Sequence, residues 1–250
     1  MLFVLLYLQL VEHARPDVDL ILQGVGAATL PPLRFEPAHE PLFFTHHPNW
    51  NVPGLAVVPL GVVFRALRAG TPAPAPGIPA LALAGEHDPG VPKDDLTRNL
   101  IAHFHYMLGA TFEERDWPRA RREFASAAAA APDNDTLFYN LGLIFARNGL
   151  LDDAGAAFAR CQVINPRHLA SRSQPRAADR LAEVTAEAAR LGALERTLAG
   201  DERLRATAPA TAAYHERLAA LLAARGETVA ARGHRLRARE LDLDPAGRSS

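Results

Sequence analysis

Two stretches decide the fold: HYMLGATFEERDWPRARREFASAAAAAPDN at residues 105–134 and FYNLGLIFARNGLLDDAGAAFARCQVINPR at residues 138–167. Leu108, Gly109 and Phe112 recur 33 residues later as Leu141, Gly142 and Phe145. Ala120, Phe124, Ala127 and Pro132 recur 34 residues later as Ala154, Phe158, Cys161 and Pro166. The one-residue slip falls between Phe112 and Ala120, where a turn between two helices absorbs an extra residue at little cost. Self-similarity at a fixed period of this size is the signature of a helical repeat. The chemistry of the recurring positions agrees with it. Glycine and alanine sit where two helices of a hairpin cross closely, phenylalanines fill the space between them, and proline ends the second helix.

The pattern aromatic, Leu-Gly, aromatic, Ala, aromatic, Ala, Pro resembles the tetratricopeptide (TPR) repeat. A weaker third copy, Leu218-Ala219, Leu222, Gly226 and Ala231, has Arg235 in place of the second-helix aromatic. Such a degenerate copy suits the polar terminal cap that repeat stacks need. Between the copies, Leu181, Val184, Ala188, Leu191, Leu194 and Leu198 form an apolar stripe at helical spacing. They predict one long helix opening near Pro175, and residues 168–212 otherwise depart from the repeat.

Outward from this core the chain divides into three zones: a small α/β unit at 1–69, a Pro/Ala/Gly linker at 70–95 and the TPR-like α-helical domain at 96–250. The fold class expected is mostly α, a TPR-like helical hairpin array preceded by a small, truncated α/β unit. In the first zone, residues 2–13 suit a helix that ends at Pro16, and short strands are expected at 18–23, 41–45, 55–58 and 62–65 with a turn at Pro59-Leu60-Gly61. The opening apolar run, MLFVLLYLQLV, is broken by Glu12, His13 and Arg15. It falls short of the about 20 residues that cross a bilayer and lacks a basic start and small-residue cleavage site.

The 250 residues carry 27 Lys and Arg against 28 Asp and Glu, a net charge of −1. No global field draws this chain to nucleic acid or anionic lipid. Its single cysteine, Cys161, excludes an intrachain disulfide and a cysteine-rich zinc site.

Residues 7–18, YLQLVEHARPDV, and Pro59-Leu60-Gly61-Val62-Val63-Phe64-Arg65 resemble elements of a bacterial family of multi-spanning membrane proteins related to protein O-mannosyltransferases. In that family a YLQ-x-VE-x-x-RPDV element follows the membrane region, and TPR-like helices often come next. The membrane helices, the acidic residue expected to serve sugar transfer and the acidic stretch before YLQ have no counterpart here, so no catalytic residue carries over. The resemblance implies a soluble C-terminal part, a fragment or a stand-alone relative. If it belongs to such a parent, it implies a place on the extracytoplasmic face of a membrane and association with a membrane-embedded module.

Chemistry is sparse in the pattern. His46 and His47 point to opposite faces of an extended chain, and His103 and His105 diverge by roughly 200° on a helix. No HExxH, nucleophile elbow or dinucleotide fingerprint occurs; Gly24-Val25-Gly26 lacks the third glycine and the following helix. Cys161 reads as packing. Glu113-Glu114 and Asp152-Asp153 read as solvated hairpin ends, and the Arg-rich stretch 232–239 as a solvated helix face. No catalytic residue, metal or cofactor is expected, and the chain is read as a non-enzyme.

What remains is a groove. TPR stacks line a concave surface with the first helix of each hairpin. On this register its exposed positions are His103, Tyr106, Ala110 and Glu113, then Thr136, Tyr139, Asn140, Leu143 and Arg147. Tyr and Arg are common recognition anchors. Asn140 stands at one asparagine of the family's carboxylate clamp, but Tyr106 and Ala110 replace its Lys and Asn, so capture of a chain-terminal carboxylate is not implied. The expected function is a non-catalytic protein-interaction or scaffold module that takes a protein or peptide ligand. The alternative is the acceptor-holding region of a protein O-glycosyltransferase, and a purely structural helical annex stays open beside both. The oligomeric state is left open.

Overall fold

A computed structural model describes residues 12–13, 17–18, 41–45, 54–72, 83, 85–168 and 175–243. The chain divides into two compact units, Met1–Leu42 and Phe43–Ser250, and the second holds every element described below. His46-His47, the helix expected over 2–13 apart from Glu12 and His13, and the strand expected over 18–23 apart from Val18 lie outside the described residues; Glu12, His13 and Val18 are in neither helix nor strand.

The second unit opens with a small antiparallel sheet of β1 (Phe43–Phe44), β2 (Leu55–Leu60) and β3 (Val63–Arg68), in the order β1-β3-β2. The register pairs Leu60 with Val63 and Pro59 with Phe64. The turn is therefore Gly61-Val62, and the Pro59-Leu60-Gly61 turn expected from sequence is corrected. Pro59 is tolerated inside β2 because β2 is an edge strand, where a missing N–H breaks no ladder. Phe64 and Ala66 alternate to one buried face.

The helices follow as α1 (Asp95–Phe112), α2 (Trp117–Ala130), α3 (Asp135–Arg147), α4 (Leu151–Ile164), α5 (Ala177–Leu198), α6 (Glu202–Arg205), α7 (Ala212–Ala224) and α8 (Thr228–Leu243). The described part of the chain is mostly helical, an array of helix hairpins preceded by the small sheet. Side chains at the helix starts satisfy orphan amides. Asp94 accepts from Thr97 at 2.8 Å, Asp116 from Arg119 at 3.1 Å and Asn134 from Leu137 at 2.8 Å. Helices α2 and α4 stop just before Pro132 and Pro166, and α5 starts just after Pro175. The sheet rests on α1, where the Thr111 hydroxyl lies 3.3 Å from the Gly61 carbonyl and 2.9 Å from that of Met107.

The two repeat copies pack alike. Gly142 of α3 faces Phe158 of α4 so closely that a Cβ there would lie 2.6 Å from the ring. Gly109 of α1 meets Phe124 of α2 in the same way. Ala120 and Ala154 are fully buried, as are Phe124 and Phe158. Trp117, Phe124 and Phe145 share a cluster with ring centroids 6.2–6.3 Å apart.

The third copy is the α7–α8 hairpin, with Leu218, Ala219, Leu222 and Ala231 buried. It does not act as an outer cap. Instead α8 lies back across the turn side of the first two hairpins. Leu236 joins their core, and the Trp117 indole donates to Glu240 at 2.6 Å. Arg237 and Arg121 share Asp153 at 2.8 and 2.7 Å, and Arg232 meets Glu114 at 2.8 Å. Gly149 takes a positive φ of 75° in the α3–α4 turn, and its backbone abuts Val229 and Gly233 of α8 with no room for a side chain on either glycine. Asp153 is thus no solvated hairpin end, and Arg232 and Arg237 are not simply a solvated face.

Candidate functional site

Helix α3 presents Thr136, Asn140, Leu143 and Arg147 on one stripe, at spacings of four, three and four residues, because 3.6 residues make a turn. Thr136 is exposed, and Asn140 and Leu143 are half-buried. On α1, His103, Tyr106 and Ala110 are half-buried. Each keeps some accessible surface, although Tyr106 packs against one core cluster and Leu143 against another.

Two positions do not. Tyr139 is fully buried, with its hydroxyl donating to the Pro175 carbonyl at 2.8 Å. Its ring lies 5.6 Å from Phe158 and 5.0 Å from His168, centroid to centroid. The expectation that it is exposed is corrected: one helical position beyond Phe138 it turns toward α4, and the turn carrying His168 and the start of α5 close over it. Glu113 is also buried, at 5% exposure. It accepts from Arg147 Nε at 2.8 Å, from Arg147 Nη2 and from Asn148 Nδ2 at 2.7 Å. The guanidinium fork expected to reach into the groove is therefore turned inward, although 58% of the Arg147 side chain stays exposed. Hydrogen bonding to Glu113 raises Arg147 above its ordinary value. Burial raises the Tyr106 phenol, with Arg147 pulling it down and Glu113 pushing it up. These three groups form one polar nucleus where the ends of α1 and α3 meet.

Sequence reasoning missed this nucleus because an acidic pair at a hairpin end ordinarily faces water. The available signal was Asn148 beside Arg147, two side chains able to donate to one carboxylate a repeat earlier.

Two histidine pairings lie elsewhere. His105 sits between two carboxylates, Nδ1 2.7 Å from Glu123 and Nε2 2.6 Å from Glu86. It clamps the segment before α1 onto α1 and α2. His168, at 4% exposure, lies 2.9 Å from Asp135, which also accepts from Asn165 at 2.5 Å. A carboxylate–imidazole pair serves nucleophilic catalysis only when a nucleophile bonds the far ring nitrogen. No hydrogen bond to His168 Nε2 occurs among the described residues. The Cys161 thiol is buried and pushed up to about 11, first by that burial and then by Asp135. A thiol so placed is inert packing. Among the described residues no three His, Cys, Asp or Glu are grouped to hold a metal ion, and no helix is long and apolar enough to cross a membrane. A cavity of about 550 Å³ beside α6 and α7 is lined by Asp201, Leu204, Arg217 and Leu221, and Arg217 is engaged there by Thr207.

No family model and no curated protein sequence matches this chain.

Proposed function

We propose that this chain is a non-catalytic interaction or scaffold module of TPR-like hairpins, with a protein or peptide segment as its ligand. The observation that carries this is the division of α3 between two faces. Leu137, Leu141, Gly142 and Ile144 are spent on packing. Thr136 and Asn140 are held on the other side, with accessible surface that the core does not use, and Leu143 lies between the two faces, partly packed against the core. Rigid elements whose rotamers are fixed by packing make good recognition platforms. The face is reduced from the sequence expectation to His103, Tyr106, Thr136, Asn140 and Leu143, with the edge of Arg147. So small a face implies a weak complex, below the size of a standard interface. The elements at residues 7–18 and at Pro59–Arg65, the latter forming the β2–β3 hairpin, extend the reading to the soluble part of a glycosyltransferase-like membrane protein.

The test places a photo-crosslinking amino acid at Thr136, at Asn140 and, as a control, at the exposed Ser126 of α2. The same partner segment should be captured from Thr136 and Asn140 and not from Ser126. Equal capture at all three positions, or capture at none, favours the structural annex.

A further inference from the structure

Helices α5, α7 and α8 meet at a chain of three titratable side chains. His215 Nδ1 of α7 lies 2.9 Å from His234 Nδ1 of α8, and His234 Nε2 lies 3.0 Å from Glu195 Oε1 of α5. The two imidazoles meet edge to edge along that nitrogen–nitrogen line, their planes 24° apart and their centroids 5.1 Å apart. The Tyr214 ring meets His215 edge-on at 5.6 Å. The charged and titratable groups facing His215 are His234 and Arg237 from α8 and Glu195 from α5.

Proton counting constrains this chain. A nitrogen–nitrogen contact of 2.9 Å is a hydrogen bond only with one proton between the nitrogens. A neutral imidazole carries one N–H and one acceptor nitrogen, whereas an imidazolium carries two N–H groups and no acceptor. His234 can donate Nε2–H to Glu195 and accept at Nδ1, or as an imidazolium donate from both nitrogens while His215 accepts. With both rings protonated, two N–H groups would face each other and the contact would open.

We propose that His215 and His234 form an acid-sensitive latch that holds the α7–α8 hairpin against α5, closed at neutral pH and released when both rings are protonated. Burial, then His234 and Arg237, hold the His215 imidazole below its ordinary value, against the opposing pull of Glu195. The sign follows from linkage. A histidine depressed in the closed form stabilises that form fully above its ordinary value of about 6.5, and the stabilisation is lost as pH falls through the closed-form value. Release uncovers a defined surface. Leu218, Ala219 and Leu222 of α7 share one buried cluster with Leu191 and Leu198 of α5, so opening exposes apolar surface that is covered at neutral pH. Exclusion of one proton of ordinary affinity changes the closed-to-open ratio by about tenfold between pH 7.5 and 5.5.

Hydrogen exchange of the full chain tests this, with rates at the two pH values normalised for intrinsic exchange. Protection of α7–α8 should fall about tenfold at the lower pH while α3–α4 keeps its own. His215→Phe keeps an aromatic ring and removes the nitrogens, and should abolish that fall. His215→Gln supplies the same comparison should the phenylalanine variant lose its helical circular dichroism at pH 7.5. Absence of the fall in the unsubstituted chain, its persistence in the variant, or an equal loss across α3–α4 each overturns the latch.

Discussion

Replacing Gly142 with alanine tests the repeat at its tightest point. In an unconstrained helix interior this exchange stabilises by about 0.5–1 kcal/mol, because alanine loses less backbone entropy on folding. Here the added Cβ would lie 2.6 to 2.8 Å from three atoms of the Phe158 ring, well inside contact distance. The ring is fully buried among Tyr139, Ala154 and Cys161, so it has little freedom to retreat. Overpacking of this kind costs about 1–3 kcal/mol. The two effects combine to a net loss centred on about 1 kcal/mol. Gly155 of α4 is the internal control, since a Cβ there would meet only Leu181 at 3.9 Å and Val184 at 4.0 Å, ordinary contact distances. Gly155→Ala should therefore stabilise by about 0.5–1 kcal/mol. Urea unfolding followed by circular dichroism measures both, and the melting temperatures should separate in opposite directions by about 2–4 °C per kcal/mol. Phe158→Leu in the Gly142→Ala background should relieve most of the added loss. A Gly142→Ala protein as stable as the parent, or more stable, refutes the close crossing and the repeat register with it.

Two further outcomes follow from the buried groups. Arg147→Ala should destabilise by about 1–2 kcal/mol, because it leaves the buried Glu113 with Asn148 alone, while the half-exposed guanidinium limits the loss. Glu113→Gln in the same background should recover part of it, and additive losses in that double-mutant cycle would show the pair uncoupled. Cys161, buried with its thiol pushed up to about 11, should resist a maleimide at pH 8 in the folded chain and react once urea unfolds it; rapid labelling of the native protein would contradict its burial.

The inward turn of Arg147 changes what a binding experiment can mean. Removing Arg147 and Tyr139 together looks harmless from the sequence, since both fall on the nominal groove. In the structure one holds a buried carboxylate and the other fills the third core cluster. Loss of a partner in that double variant would report unfolding as readily as recognition. Thr136 and Asn140, which no core depends on, are the informative positions.

The sequence by itself determined the hairpins. A small residue opposite a phenylalanine, repeated at a spacing of 33–34 positions and closed by proline, is local information, because it concerns helices joined by short turns. It placed Gly109 and Gly142 at close helix crossings, the phenylalanines between the helices, the ends of α2 and α4 and the single long α5, and the structure adds that the glycines meet Phe124 and Phe158. What lies between distant segments only the tertiary structure decided. Position 139 looks exposed from its helical register alone, and becomes core because α5 enters beside it at Pro175. Glu113 looks solvated, and becomes buried because Arg147 and Asn148 reach it from 34 and 35 residues away. The return of α8 over the first hairpins rests on Trp117 and Glu240, 123 residues apart, and on a close approach of Gly149 to Gly233. No periodic pattern encodes such contacts. Each arises from where whole elements dock, and docking is set by the summed fit of many side chains rather than by the spacing of a few.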